Sequence, residues 1–585
     1  MTLRDPTYLV IGAACAVLLA CSGADHDPDG EPAGPGGDDS HVVSPDAGDD
    51  RAVADDATDD GADDGTDDGT DDGSDDGDPR DRLDVPDAHA VSAGHPDAVD
   101  AGMSVLEDGG TAVDAAIAAA FASGVAEPFT SGLGGGGAAI VLEQGEEPRA
   151  YDYRDVVADD GVIPATNTGV PGFVAGMEAL HDHHGSLGWD ELVSPAVGFA
   201  EETTTSPLLA ERLAADADAL PVGDLPHLYP DGAPLQDGAP LVQDELATTL
   251  RILADEGPPA FYEGAIAASL TAYDGLDAAS LAGYEVHAST PPSGAVGDVE
   301  VIGAAPPLGG TTLIQQLQIA EALGVAEQPP NSPRAVHHLA SAWRIALANQ
   351  RAELGDPRFV DVPVDELVDP DRNAAIAEAL DPDSVPSIDP GAPGGGHAPN
   401  TTHITAVDSY GTMVSMTNTI TNFWGSRQYT DGFFLNDHLR RFEGGTGEAN
   451  RPEPGKLPVT WSLPVIIADT DGRPVLGLGT PGGARIPNVL ASAITRWGLQ
   501  GVPLEDVVTG PRFHVHGTTI EVEAELGGAR DQLLALGWSD VTEPASRLHF
   551  GSIQALEIDY DDGVIRGASD PRREADHRIQ APAPR

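Results

Sequence analysis

Apolar and polar positions follow two periods along the chain. In the first half they recur at helical spacing. Val113, Ile117 and Phe121 share one face of a helix predicted over 111–121, with Gly124 as its stop. Further helices are expected near 171–184, 243–255 and 334–354. In the last of these Val336, Leu339, Trp343 and Leu347 form an apolar stripe that ends at Gly355. Such stripes read as core, not as a cofactor box. In the second half the period shortens to two. ITAVD–SYG–TMVSMTNT and LPVIIAD–TDG–RPVLGLG each alternate around a turn and read as hairpins. Between the halves, residues 382–400 hold several prolines and Gly394-Gly395-Gly396, a flexible loop. A helical half followed by a hairpin-rich half suggests helices layered on sheets.

The N-terminal part behaves differently. YLVIGAACAVLLA, 8–20, is too short to span a membrane but fits the h-region of a signal peptide. It ends in Leu18-Leu19-Ala20-Cys21, which resembles a bacterial lipobox. Cys21 is then the lipidated first residue of the mature chain, and no cysteine remains for disulfides, metal or thiol chemistry, since Cys15 leaves with the signal. Residues 24–85 carry 24 Asp/Glu against 3 Arg in a repeat such as TDDGADDGTDDG. That stretch has too little apolar surface to fold and is expected to be an extended tether. The EF-hand pattern of calcium ligands is absent from it.

Across all 585 residues the formal charge is −68, and Lys456 is the only lysine. Such a surface repels nucleic acid. SGLGGGG, 131–137, lacks the Lys-Ser/Thr ending of a phosphate loop and the spacing of a dinucleotide fingerprint, so it reads as close backbone packing before the strand AAIVLE.

One junction carries candidate chemistry. Asn400-Thr401-Thr402-His403 sits where the loop meets a strand. A threonine that becomes an N-terminus can serve as nucleophile and base together, because its α-amine can take the hydroxyl proton. That requires the Asn400–Thr401 bond to break, which Thr401 itself can do by attacking the Asn400 carbonyl. Taken alone, the motif is weak and reads first as a loop ending on a β-branched strand.

Other blocks decide between these. SAGHPDAVDAGMSVLEDGGTAVDAAIAAAFASGVAEPFTSGLGGGG, DYRD at 152–155, VPGFVAGMEAL, FYEG, LGDPRFVDVP, TTHITAVD, TPGGARI at 480–486 and GPRFH occur in that order. From about residue 88 to 555 the chain resembles γ-glutamyltransferases, which are N-terminal nucleophile hydrolases. The resemblance implies an α+β fold, a four-layer αββα sandwich, built from two subunits cut from one precursor. It implies Thr401 as nucleophile, Thr419 as the threonine that orients it, and Gly482-Gly483 as the oxyanion hole. It implies Arg154 as the grip on the α-carboxylate of a γ-glutamyl group.

The other substrate positions depart from the family. Arg441 stands where an Asp normally meets the substrate α-amine, His438 at a Glu/Gln position, and Thr421 at an Asn position, with Asn422 beside it. Thr460-Trp461 replaces a Ser-Ser pair. Asp437 is a possible substitute for the lost acid.

The expected organisation is a signal peptide over 1–20, a tether over 21–86, a large subunit over 87–400 and a small one over 401–585, forming a heterodimer. The expected function is hydrolysis or transfer of γ-glutamyl amides such as glutathione, with water, an amino acid or a peptide as acceptor. Two alternatives stand beside it. One is an acylase for dicarboxylic-acyl amides or a γ-linked polymer without a free α-amine; the other is a non-catalytic surface lipoprotein. No metal or organic cofactor is implied, and membrane contact is expected only through the lipid, at the cell envelope.

Overall fold

The alternating stretches become strands, and the computed structural model describes residues 88–388, 399–442 and 447–580. The signal peptide, Cys21, the acidic repeat and most of the predicted loop lie outside those residues. In chain order the strands of the two sheets are β1 (His89–Ala93), β2 (Gly136–Leu142), β3 (Arg149–Asp152), β4 (His287–Ser289), β5 (Ser293–Val296), β6 (Val299–Gly303), β7 (Pro399–Val407), β8 (Met413–Asn422), β9 (Val465–Ala468), β10 (Pro474–Gly479), β11 (Gln554–Asp559), β12 (Val564–Ser569) and β13 (Asp576–Gln580). One sheet has the order β13-β1-β7-β8-β2-β3-β4 and the other β12-β11-β10-β9-β6-β5. Every pairing in both is antiparallel.

The helices that matter here are α1 (Pro96–Glu107), α2 (Ala112–Ala126), α3 (Phe173–His184), α4 (Trp189–Glu201), α5 (Gly310–Ala322), α6 (Pro333–Glu353) and α7 (Ile486–Ile494). Alternation along the strands divides most of their apolar residues among three of the four cores. Ile404, Ala406, Val414 and Met416 pack with Val113, Ile117 and Phe121 of α2. Ile140, Val407, Met413, Ile466, Leu556 and Ile558 meet between the two sheets. Val465, Ile467, Leu476 and Leu478 pack on Leu313 of α5 and on Val336, Leu339 and Trp343 of α6. The result is the expected four-layer αββα sandwich.

One helix differs from expectation. Gly124 does not stop α2, which runs on to Ala126 with Thr111 as its N-cap in a capping box. Gly124 serves a crossing: a Cβ there would stand 3.0 Å from the Cα of Gly132. Every other residue of α2 is buried, as suits a helix enclosed on all sides. The glycine run 134–137 is close packing, as expected. A Cβ on Gly134, Gly135, Gly136 or Gly137 would lie 2.2–2.4 Å from Phe434 O, Thr419 O, Tyr153 O or Asn418 Oδ1, respectively. Among the described residues no helix is long and apolar enough to cross a membrane.

Candidate active site

Thr401 and Thr402 alternate across β7. Ile404 and Ala406 face the helix layer, so Thr402 faces it too, and Thr401 faces the space between the sheets. Pairing with β8 is regular up to Asn418↔Thr402 and resumes at Thr421↔Asn400, so Thr419 and Ile420 together oppose the single residue Thr401. This is a β-bulge, a device that re-aims side chains beside active sites. It is completed by Thr421 at φ +85°, a conformation unusual for a β-branched residue. The Thr421 N–H donates to Thr419 Oγ1 at 2.7 Å, which orients that hydroxyl. Thr401 Oγ1 is buried and has no hydrogen-bond partner among the described residues.

Thr401, Thr419, Thr421, Arg441, Thr460, Trp461, Ser462, Gly483 and Ile486 line one pocket of about 230 Å3, the solvent at its mouth included. The opposite wall comes from the second sheet. β10 runs into Thr480-Pro481-Gly482-Gly483, a turn that leads into α7. Gly482 (φ +141°) and Gly483 (φ +59°) both need conformations that glycine tolerates best. N–H groups opening a helical turn have no acceptor within it, which suits them to a developing oxyanion. A second turn holds this one in place. Ser552 N–H donates to Thr480 Oγ1 at 3.1 Å, and a Cβ on Gly551 would fall 1.8 Å from the Pro481 carbonyl oxygen.

The expected substrate residues divide. Thr421, Arg441, Thr460 and Trp461 reach the pocket, with Ser462 added to the last pair. Trp461 is set by Trp343 of α6, ring centroids 5.8 Å apart. Arg154 and His438 do not line it. The Arg154 guanidinium grips Asp152 through Nε–Oδ1 at 2.8 Å and Nη2–Oδ2 at 2.7 Å, and Nη1 donates to the Pro458 carbonyl at 2.7 Å. His438 Nδ1 meets Asp155 Oδ2 at 2.9 Å, both fully enclosed. Burial lowers the imidazole's pKa well below its ordinary value, helped by Arg154 and Arg441, and raises that of Asp155.

Among the described residues Arg441 is the only ionisable side chain lining the pocket, and no carboxylate among them lines it. Its pKa falls to about 10, chiefly by desolvation. Asp437 lies outside this pocket. It accepts from Asn422 N–H at 3.1 Å and Nδ2 at 2.5 Å, and pairs with Arg440 at 3.1 Å. Among the described residues no group of His, Cys, Asp or Glu is placed to hold a metal ion.

Several contributors were not singled out in the sequence. Ser462 lies two residues past Thr460, near enough to be found by allowing the motif to slide. Gly551 and Glu127 carry no local signal, because their roles depend on segments far away in the chain.

An αββα sandwich with a threonine at the head of a central strand, facing an amide-bearing turn from the other sheet, is the architecture of an N-terminal nucleophile hydrolase. The chain belongs to the gamma-glutamyltranspeptidase family, whose profile matches residues 98–579, and it is an enzyme of that type. It is 35% identical over 486 residues to a capsule biosynthesis protein CapD proenzyme of Bacillus anthracis, covering 83% of this chain and 89% of that one. It is 29% identical to a glutathione hydrolase proenzyme of Bacillus subtilis (84% and 91% covered) and 33% to an acylase ACY 1 proenzyme of a Pseudomonas species (82% and 91%). The cephalosporin acylase of Bacillus halodurans shares the fold, with TM-score 0.76 and 21% identity over 86% of this chain and 97% of that one.

Proposed function

We propose that the chain is a proenzyme that cuts itself between Asn400 and Thr401, then transfers acyl groups from γ-glutamyl-type amides through an ester on Thr401. In maturation Thr401 Oγ1 attacks the Asn400 carbonyl, the acyl group moves from nitrogen to oxygen, and water hydrolyses that ester. A large subunit, 87–400, then ends in a carboxylate, and a small one, 401–585, begins with a free α-amine. In turnover that amine takes the hydroxyl proton as Oγ1 adds to the substrate carbonyl. The oxyanion faces the Gly482 and Gly483 N–H groups, and Thr419 fixes the nucleophile. Collapse expels the amine leaving group with the proton, and water or an acceptor amine then takes the acyl group.

The observation that carries this reading is the shared pocket of Thr401, Thr419 and Gly483, with Thr401 set opposite the bulge. The test is whether purified protein splits into two fragments, the smaller beginning at Thr401, while Thr401→Ala remains one chain. A cut elsewhere, or a Thr401→Ala protein that still splits, would sink it.

A second reading concerns the acyl group. A free ammonium beside Arg441, in a pocket where no described residue offers a carboxylate, is repelled, whereas a carboxylate is attracted. This favours dicarboxylic-acyl amides, or internal units of a γ-linked polymer, over donors with a free α-amine. The names of the Pseudomonas acylase and the Bacillus capsule protein are compatible with this reading. For location, we propose export through the 1–20 signal, lipid on Cys21 and a tether over 21–86. This rests on the apolar run and the Leu-Leu-Ala-Cys ending alone. Cys21→Ser should release the protein from the membrane fraction.

A further inference from the structure

Self-cleavage removes the covalent support on one side of the nucleophile. The first residue of a severed strand frays unless something behind it holds. Behind Thr401 stands Thr402, whose side chain points the other way, into the helix layer. Its hydroxyl donates to Glu127 Oε2 at 3.0 Å, with both residues buried. Glu127 is the C-cap of α2, the enclosed central helix of that layer.

The contact is tightly built. A Cβ on Gly94 would lie 2.7 Å from Glu127 Oε2 and 2.7 Å from Thr402 Oγ1, so the end of β1 closes the space around the bond. Burial raises the pKa of the carboxyl, an effect that His95 and Arg573 oppose and Glu574 strengthens. Glu127 reaches the second catalytic strand as well. Its carbonyl accepts from Thr130 N–H at 2.9 Å and Thr130 Oγ1 at 3.0 Å, and the Thr130 carbonyl accepts from Ile420 N–H at 2.9 Å. Ile420 is the bulge residue next to Thr419. One residue thus reaches both sides of the bulge: β7 at Thr402 through its carboxyl, and β8 at Ile420 through its carbonyl.

We propose that Glu127 and Thr402 are positioning residues that hold Thr401 in register with Thr419 and the Gly482-Gly483 turn after the Asn400–Thr401 bond is cut. The inference rests on the self-cleaving reading. Before cleavage the strand is held by chain on both sides of Thr401. After cleavage the Thr402 hydroxyl is the first side-chain anchor inward from the free amine. Losing it lets Oγ1 and the α-amine drift without altering the substrate pocket. The effect belongs in the chemical step, since misplacement of about 1 Å costs about a hundredfold in rate.

The test uses the full chain. Wild type, Thr402→Val, Thr402→Ala, Thr402→Ser and Glu127→Gln are compared for fragment formation, thermal midpoint, and kcat and KM on γ-glutamyl and glutaryl anilides. Thr402→Val and Thr402→Ala should still split. Their kcat should fall about ten- to a hundredfold, with KM within about threefold. Thr402→Ser and Glu127→Gln, which keep a donor and an acceptor, should stay within about threefold of wild type in kcat. If Thr402→Val fails to fold, Thr402→Ala supplies the same reading. A cleaved, folded hydroxyl-less variant with wild-type kcat overturns the clamp, and so does a Ser variant as impaired as Val or Ala. A wild type that neither splits nor turns over either anilide overturns instead the reading on which the clamp rests.

Discussion

The Arg154 guanidinium lies against the Asp152 carboxylate through two parallel N–H···O bonds, with both side chains buried. A fork bound this way is committed to its partner. Removing Arg154 would leave Asp152 buried without its counter-charge, and breaking such a pair costs about 3–5 kcal/mol. Arg154→Ala should therefore lower the thermal midpoint and the yield of folded protein. Arg154→Met combined with Asp152→Leu should recover much of the loss. If instead Arg154→Ala folds with wild-type stability and only raises KM, the arginine turns to the substrate carboxylate on binding, as the family resemblance implies.

Arg441 faces the pocket that Arg154 does not. A glutaryl anilide should be turned over at least as well as the matched γ-glutamyl anilide. Arg441→Asp should move the ratio of kcat/KM toward the γ-glutamyl compound by about ten- to a hundredfold, each decade being about 1.4 kcal/mol. A strong wild-type preference for the γ-glutamyl donor, left unchanged by the substitution, would show that another group meets the α-amine.

The layered architecture was legible in the sequence because it follows from period. Alternation in ITAVD and TMVSMTNT reports one strand face toward α2 and one toward the second sheet, and Val336 to Leu347 report the face of α6. What local pattern did not report was partnership. Nothing in DYRD says that Arg154 turns to Asp152 two residues back, because a buried arginine takes the acid that the tertiary packing brings to it. Gly124 looked like a helix stop because glycine usually is one. A crossing loop that needs a residue without a side chain overrode that tendency. That no described residue lining the pocket is a carboxylate is likewise a fact about packing, and so is the placing of Asp437 against Asn422 and Arg440.

Gly135 marks a point where backbone and catalytic strand touch. A Cβ there would meet the Thr419 carbonyl oxygen at 2.3 Å and Ile420 Cγ2 at 2.8 Å. Gly135→Ala should push the bulge away from Thr401 and lower kcat about ten- to a hundredfold. Gly198→Ala in α4 is the control: nothing lies within 4 Å of its Cβ. It should be neutral or stabilise by up to about 1 kcal/mol. Equal kcat for the two variants would show that Thr419 tolerates displacement.

His514 gives a prediction about acid. It is buried, and the Asn488 side-chain amide bonds its Nδ1 at 3.2 Å, which favours the neutral ring with the proton on Nε2. Burial lowers its pKa to about 3, with Arg485, His549 and His516 adding to the shift and Glu521 opposing it. The unfolded chain, with an imidazole near its ordinary value of about 6.5, binds a proton between those limits that the folded chain refuses. Stability from this group is thus fully present above pH 6.5 and is lost as pH falls toward 3, at about 1.4 kcal/mol per pH unit. His514→Gln should lower the thermal midpoint at pH 7 yet flatten its decline between pH 6.5 and 4. Proton uptake on unfolding at pH 5 should drop by about one. A variant whose midpoint falls with acid as steeply as wild type, with uptake unchanged, would mean that His514 takes up its proton while the protein is still folded.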